Sequence, residues 1–195
     1  MEMMSEAATA TGRDEKSDDV LFHAFARGDV SAFDTLYSRY RQALFGYLMK
    51  NCRDESLASE MFQDIWLRVI ASVSRYRRRG KFRAWLFTLA HNRLVDYYRQ
   101  LSKQDFEELS DIETTEPSIE EQVSNIQIES YLQRTISSLP LEQRSAFLLR
   151  EEAGLSLREI AQIQEINLET AKSRLRYAYQ KLSKGMQRFT EETTQ

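Results

Sequence analysis

The sequence predicts an all-α protein of two small helical units joined by an acidic segment. Three observations carry this. The 195 residues include only two prolines and six glycines, so few positions break a helix. Apolar residues recur at spacings of three and four, as amphipathic helices require. The alternating Val, Ile and Thr that strands would need are scarce. An apolar content of 42% is ordinary for a folded chain.

Residues 1–17 are polar, acidic and rich in small side chains, and read as a mobile tail. Asp18 or Asp19 can cap a first helix through Val20, Leu21, Ala24 and Phe25 that stops near Gly28. A second helix starts near Asp29 to Ser31, with Phe33, Leu36, Tyr37, Tyr40, Leu44, Tyr47 and Leu48 on its apolar side. A break at Asn51 to Asp54 precedes a third helix striped by Leu57, Met61, Ile65, Val69 and Val73. The basic run from Arg75 to Lys81 reads as a loop, and a very apolar helix follows from Phe82 to Arg99. Four such helices suffice for one small core, placed at residues 18–101. Periodicity fades over an acidic linker at 102–117.

The second unit is placed at 118–188, with a short tail at 189–195. Its first helix carries Ile119, Val123, Ile126, Ile128, Leu132 and Ile136. Pro140 can be the first residue of the next helix, Leu141 to Glu152, which Gly154 closes. Ser156 and Glu159 have capping-box spacing, and Leu157, Ile160 and Ala161 form the inner face of a short helix. Gln164, Glu165 and Ile166 make a turn, and Asn167 caps the last helix. There Ala171, Leu175, Ala178 and Leu182 give a buried stripe.

The net charge of −3 hides a segregated pattern. Residues 20–103 carry +8, residues 104–142 carry −9 and residues 143–190 carry +4. Two candidate polyanion-binding surfaces thus flank an acidic block. The single cysteine, Cys52, excludes an internal disulfide and a cysteine-built metal site. His23 and His91 are too few and too isolated for zinc. No metal, cofactor or membrane insertion is expected, and no signal peptide is evident. No nucleophile–base pair or phosphate loop appears, so no catalysis is expected.

Short helix, turn and capped helix form a helix-turn-helix pattern. At 100° per residue, Glu169, Ser173 and Arg176 lie opposite the last helix's buried stripe, flanked by Thr170 and Lys172. Such a helix start faces base edges in a major groove while a second helix props it. Arg and Lys can read guanine or hold phosphate, Ser can do either, and Glu can accept from cytosine. Arg158 on the propping helix joins this set. A helical hairpin with a solvated charged face is the plainer alternative.

In the Phe82 to Arg99 helix, apolar residues point in too many directions for one core stripe. Some of Trp85, Phe87, Tyr97 and Tyr98 are therefore expected to be exposed or bound. Exposed aromatics among Arg and Lys suit unstacked single-stranded bases, though Trp85 and Leu86 fit a core role better. On the third helix, Glu60, Gln63, Asp64, Leu67 and Arg68 form a mixed face beside the core stripe. That face suits docking to another protein's helix or simple solvation.

Four segments, in order, resemble the sigma-70 family of RNA polymerase sigma factors. Gly28-Asp29, Ala32-Phe33, Leu36-Tyr37 and Tyr40 are similar to the start of its domain 2. Glu60 and Gln63-Asp64-Ile65-Trp66-Leu67-Arg68-Val69 resemble its polymerase-docking helix. Phe82, Trp85-Leu86-Phe87, Ala90, Asn92-Arg93 and Asp96-Tyr97 resemble its promoter-melting helix. Leu139-Pro140, Arg144, Gly154-Leu155-Ser156, Glu159-Ile160-Ala161 and Lys172-Ser173-Arg174-Leu175 resemble domain 4. The spacing leaves no room for domains 1.1 or 3, which points to the extracytoplasmic-function (ECF) group. The family's turn usually has glycine where Glu165 stands, so either the backbone of the turn differs here or Glu165 carries strain near positive φ. The family often has Val at the place of Ala171.

The resemblance implies a cytoplasmic alternative sigma factor that recruits core polymerase to promoters. It implies docking through Glu60, Gln63, Asp64, Leu67 and Arg68 to the β′ coiled coil, and domain 4 contact with the β flap. It assigns the −10 strand to Arg77, Arg78, Arg79, Lys81, Trp85, Asn92 and Arg93, and the −35 duplex to the helix-turn-helix. A membrane-bound anti-sigma factor that holds the chain at the inner membrane face is a further implied partner. The acidic segment, with Asp105, Glu107, Glu108, Asp111 and Glu113, can mimic nucleic acid in the polymerase RNA path or act as a soluble tether. Two other functions fit parts of the pattern: a polymerase-independent helix-turn-helix regulator, and a sigma-like decoy that does not transcribe.

Overall fold

A computed structural model describes residues 16–73, 76, 81–104 and 125–193. The linker carboxylates and Arg77, Arg78 and Arg79 lie outside the described residues. Eight helices make up the described fold: α1 (Asp18–Ala26), α2 (Val30–Cys52), α3 (Glu55–Ala71), α4 (Phe82–Gln104), α5 (Asn125–Ser137), α6 (Leu141–Glu151), α7 (Leu157–Ile163) and α8 (Leu168–Thr193). No strand occurs among the described residues. Nor is any of their helices long and apolar enough to cross a membrane.

Side-chain caps set most helix starts. Ser17, one residue before the aspartates expected there, accepts from the Val20 amide and caps α1. Asp18 instead pairs with Arg39 and Tyr40 of α2. Asp29 caps α2 and Asp54 caps α3. Between α2 and α3 the chain turns through Arg53 at φ 60°. Pro140 stands just outside α6 as its cap rather than as its first residue, and makes no side-chain cap bond. Apart from these shifts, α4 runs past Arg99 to Gln104.

The N-terminal core is aromatic and aliphatic. Phe22, Leu36, Leu44, Tyr47, Met61, Ile65, Phe82, Leu86, Phe87 and Leu94 are all essentially inaccessible. The C-terminal four helices bury Leu148, Leu149, Leu155, Ile160, Ala171 and Ala178. The two sets touch: α2 packs on α5 and α6, and α4 packs on α7. Buried residues from both ends of the chain therefore form one continuous cluster.

That contact explains α4. Its aromatic residues were expected to leave some rings exposed, but Phe87 is fully buried, and Trp85, Tyr97 and Tyr98 are half-buried against the core. The helix has two covered sides. One side meets α1, α2 and α3, and the other meets α7.

Candidate nucleic-acid interface

The helix-turn-helix is built as its sequence spacing suggests. The Ser156 hydroxyl accepts from the Glu159 amide at 3.3 Å, and the Glu159 carboxylate accepts from the Ser156 amide at 2.8 Å. This reciprocal cap fixes the start of α7. Glu165 then turns the chain at φ 53°, the left-handed region where a side chain is strained. The Asn167 side chain accepts from the Thr170 amide at 2.7 Å and starts α8. Ala171, Ala178 and Leu182 are buried beneath α8, and Leu175 is half-buried beside them.

The opposite face is open. Glu169, Lys172 and Arg176 are exposed, as is Arg158 on α7, while Thr170 and Ser173 are half-buried. The Arg176 guanidinium sits 5.1 Å from the ring centroid of exposed Tyr177, a cation–π contact that restricts its swing. Arg174 points the other way. Its Nη1 donates to Gln164 Oε1 at 2.9 Å, and Gln164 Nε2 donates to the Glu142 carbonyl at 3.1 Å. Arg174 thereby ties the start of α8 to α6 through the turn. Its spacing of three from Ala171 marks the inner flank and is the one sequence signal for this role.

Helix α4 and Lys81, the residue just before it, present three more groups. At 100° per residue, Trp85 and Asn92 fall within about 20° of each other, and the carbonyl of Lys81, just ahead of the helix, accepts from the Trp85 amide at 3.0 Å. Lys81 and Asn92 are exposed, and Trp85 is half-buried. The Trp85 ring is held by Tyr76 at 4.9 Å, and by Phe22 and Phe82 at 5.7 Å each. It is therefore rigid where it meets solvent.

Arg93 is about 100° away on the same helix, and it faces α3. Its Nη2 donates to Glu60 at 2.9 Å and its Nε donates to Asp64 at 3.1 Å. A residue expected on the strand-contacting surface and two expected on the docking face thus form one ion-pair cluster. The rest of that face stays open: Gln63 and Arg68 are exposed, and Leu67 retains 64% of its accessible surface. A single exposed leucine is ordinary on a protein surface and fits docking and plain solvation alike.

Sequence reasoning missed a polar cluster between the two helix sets. Tyr47 of α2 sits 2.8 Å from the Ser145 hydroxyl of α6, and His91 Nδ1 of α4 lies 3.1 Å from the same oxygen. Arg144 Nη2 donates to the Asn51 carbonyl at 3.1 Å, and Lys50 pairs with Glu152. Burial, then the nearby charge of Arg174, pushes the His91 pKa down to about 4. Burial also pushes the Cys52 thiol up to about 11, which keeps it unreactive. Among the described residues, no group of three or more His, Cys, Asp or Glu could hold a metal ion.

Two family models match the chain: sigma-70 region 2 over residues 36–104, and sigma-70, region 4 over residues 129–182. The RNA polymerase sigma factor YlaC of Bacillus subtilis (strain 168) is 30% identical over 170 residues, covering 83% of this chain and 95% of that protein. The ECF RNA polymerase sigma factor SigK of Mycobacterium sp. (strain KMS) is 32% identical over 163 residues, covering 81% of this chain and 84% of that protein. Among solved structures, CnrH in complex with the cytosolic domain of CnrY is similar with a TM-score of 0.65 at 22% identity, covering 87% of this chain and 97% of that one. The sigma factor RpoE of Bartonella quintana, in complex with the anti-sigma factor NepR, gives 0.63 at 22% identity, covering 80% and 96%. These two likenesses concern the fold.

Proposed function

Because the chain belongs to the ECF group of the sigma-70 family of RNA polymerase sigma factors, we propose that it divides promoter reading between α4 and α8. As an alternative sigma factor it acts in transcription initiation. In our reading it does so without catalysis, by recruitment. The open face of α3, with Gln63, Leu67 and Arg68, docks the polymerase β′ coiled coil, and the C-terminal helices meet the β flap. Lys81, Trp85 and Asn92 hold the melted −10 strand, with Trp85 as a stacking surface and Lys81 on phosphate. The basic run Arg77, Arg78 and Arg79 adds phosphate contacts. Glu169, Lys172, Ser173 and Arg176 read the −35 duplex, with Arg158 and Thr170 beside them. Arg93 braces the docking carboxylates rather than touching DNA.

The observation that carries this reading is the pair of open polar faces on two different helices of one chain, one with a fixed tryptophan and one at the start of a helix-turn-helix. Each contact alone is weak. Joined in one chain, the two reinforce each other through effective concentration. An anti-sigma factor is a further proposed partner, by likeness to the Bartonella protein seen with NepR.

Permanganate footprinting of promoter DNA with reconstituted holoenzyme tests the strand-holding role. Wild-type chain is expected to expose unpaired thymines around −10, and Trp85→Ala to reduce that reactivity with the −35 contact retained. Undiminished −10 opening by Trp85→Ala would rule out the assignment of α4.

A further inference from the structure

Helix α1 carries none of the contacts assigned to polymerase or promoter, yet its side chains lie under the strand-holding face. Two adjacent aspartates open the helix and reach different neighbours. Asp18 pairs with Arg39 and Tyr40 of α2. Asp19 accepts from the Tyr76 hydroxyl at 2.8 Å, across 57 positions of sequence. One residue thus fastens α1 to α2, and the next fastens Tyr76 to α1.

Tyr76 stands between α3 and α4, second in the basic run from Arg75 to Lys81. Its amide donates to the Ser72 carbonyl at 3.0 Å, and the residue is only 6% exposed. Phe22 of α1 meets the Tyr76 ring edge-on at 4.7 Å, and the Trp85 ring lies against it at 4.9 Å. Phe22 also touches Trp85 directly, at 5.7 Å. A phenylalanine at 76 would fill the same apolar space. Tyrosine adds one hydroxyl, and that hydroxyl ends on the half-buried carboxylate of Asp19. A hydrogen bond to a charged acceptor is short and directional. It fixes the ring in depth and rotation where apolar packing alone would let it slide. Trp85 rests on the ring so fixed.

We propose that α1 belongs to the strand-holding site: Asp19, acting through Tyr76, sets the face that Trp85 offers to an unpaired base. Asp19 and Tyr76 are positioning residues and touch no nucleic acid. Base stacking depends on ring overlap, so a Trp85 ring free to tilt stacks less well. The proposal rests on the sigma-factor reading above, in which Trp85 stacks on the −10 strand, so each is given its own measurement.

The first measurement needs no DNA. The chain has two tryptophans, and Trp66→Phe leaves Trp85 as its one indole. In that full-length background, Tyr76→Phe and Asp19→Ala are each expected to lower the fluorescence anisotropy of Trp85 and raise its quenching by acrylamide, at unchanged helical circular dichroism. The double variant is expected to match either single one, because both remove the same bond. Asp19→Asn keeps an accepting oxygen and is expected to match the parent. The second measurement is permanganate footprinting with reconstituted holoenzyme and both tryptophans in place. There Tyr76→Phe and Asp19→Ala are expected to reduce −10 thymine reactivity by about threefold to tenfold, the range of one net hydrogen bond, with core binding and −35 contact retained.

Unmoved Trp85 fluorescence in both variants overturns the proposal. A loosened Trp85 with undiminished −10 opening also overturns it, when Trp85→Ala itself diminishes that opening. Undiminished opening by Trp85→Ala overturns the strand-holding role of α4 and the proposal with it, and is told apart by the Trp85→Ala arm alone. If Asp19→Ala loses helicity with its first-turn charge, Tyr76→Phe, which leaves α1 untouched, decides.

Discussion

Arg93 of α4 and Asp64 of α3 are joined by an ion pair of 3.1 Å, and the same guanidinium reaches Glu60 at 2.9 Å. The charge of Arg93 is thereby balanced on the docking helix and withdrawn from the strand-holding face. Arg93→Ala is expected to weaken core-polymerase binding while promoter contacts stay as they are. The stability loss is small, about 1 kcal/mol or less, because both carboxylates are partly exposed and screened. Competition binding to core enzyme, beside a thermal melt, checks both expectations.

Salt dependence separates phosphate-holding cations from bracing ones. Lys172→Ala and Arg176→Ala are each expected to lower the slope of log K against log salt by about 1 for holoenzyme on promoter DNA. Arg93→Ala and Arg174→Ala should leave that slope unchanged, since both side chains are bonded within the protein. Filter binding across a salt series measures this, and equal slopes for all four variants would reassign the cations.

The turn before α8 stores removable strain. Glu165 holds φ 53°, a conformation that disfavours a side chain by roughly 1–2 kcal/mol. Glycine relieves it but brings a more flexible unfolded chain. Glu165→Gly is expected to gain about 0.5–1 kcal/mol net, or a few degrees in Tm. A melt by circular dichroism checks it. A lower Tm would mean that the Glu165 side chain does more than occupy the turn.

His91 makes stability fall in mild acid. Its folded pKa of about 4 lies below its unfolded value of 6.5, chiefly from burial and then from Arg174. As pH drops through 6.5 the unfolded chain binds a proton that the folded chain refuses. Stability is therefore full above about pH 7 and is lost progressively toward pH 4, by up to roughly 3 kcal/mol. The neutral variant His91→Gln removes that share of the slope. The difference between the two proteins' Tm–pH profiles isolates the effect from the carboxylates.

The sequence made local structure legible and left long-range cover illegible. The Ser156–Glu159 box, the Asn167 cap and the Ala171–Ala178 stripe all follow from residues within a few positions of one another. The fate of Phe87, Tyr98 and His91 does not. Their partners Tyr47, Asn51 and Ser145 stand 40 to 54 residues away, and the hydrophobic pattern of α4 reports excess apolar surface without naming what buries it. Arg93 shows the same limit: its charge is visible in sequence, but the carboxylates of Glu60 and Asp64 that accept from it are not.

The central claim is that one chain reads two promoter elements with two helices. Transcription from a randomised promoter library by reconstituted holoenzyme, with wild-type chain and with Lys172→Ala/Arg176→Ala, tests it most directly. Wild type is expected to select two motifs at a fixed spacing, and the double variant to lose selection at the upstream motif alone. Loss at both motifs, or at the downstream motif instead, would contradict the assignment of α8 to the −35 element and α4 to the −10 strand.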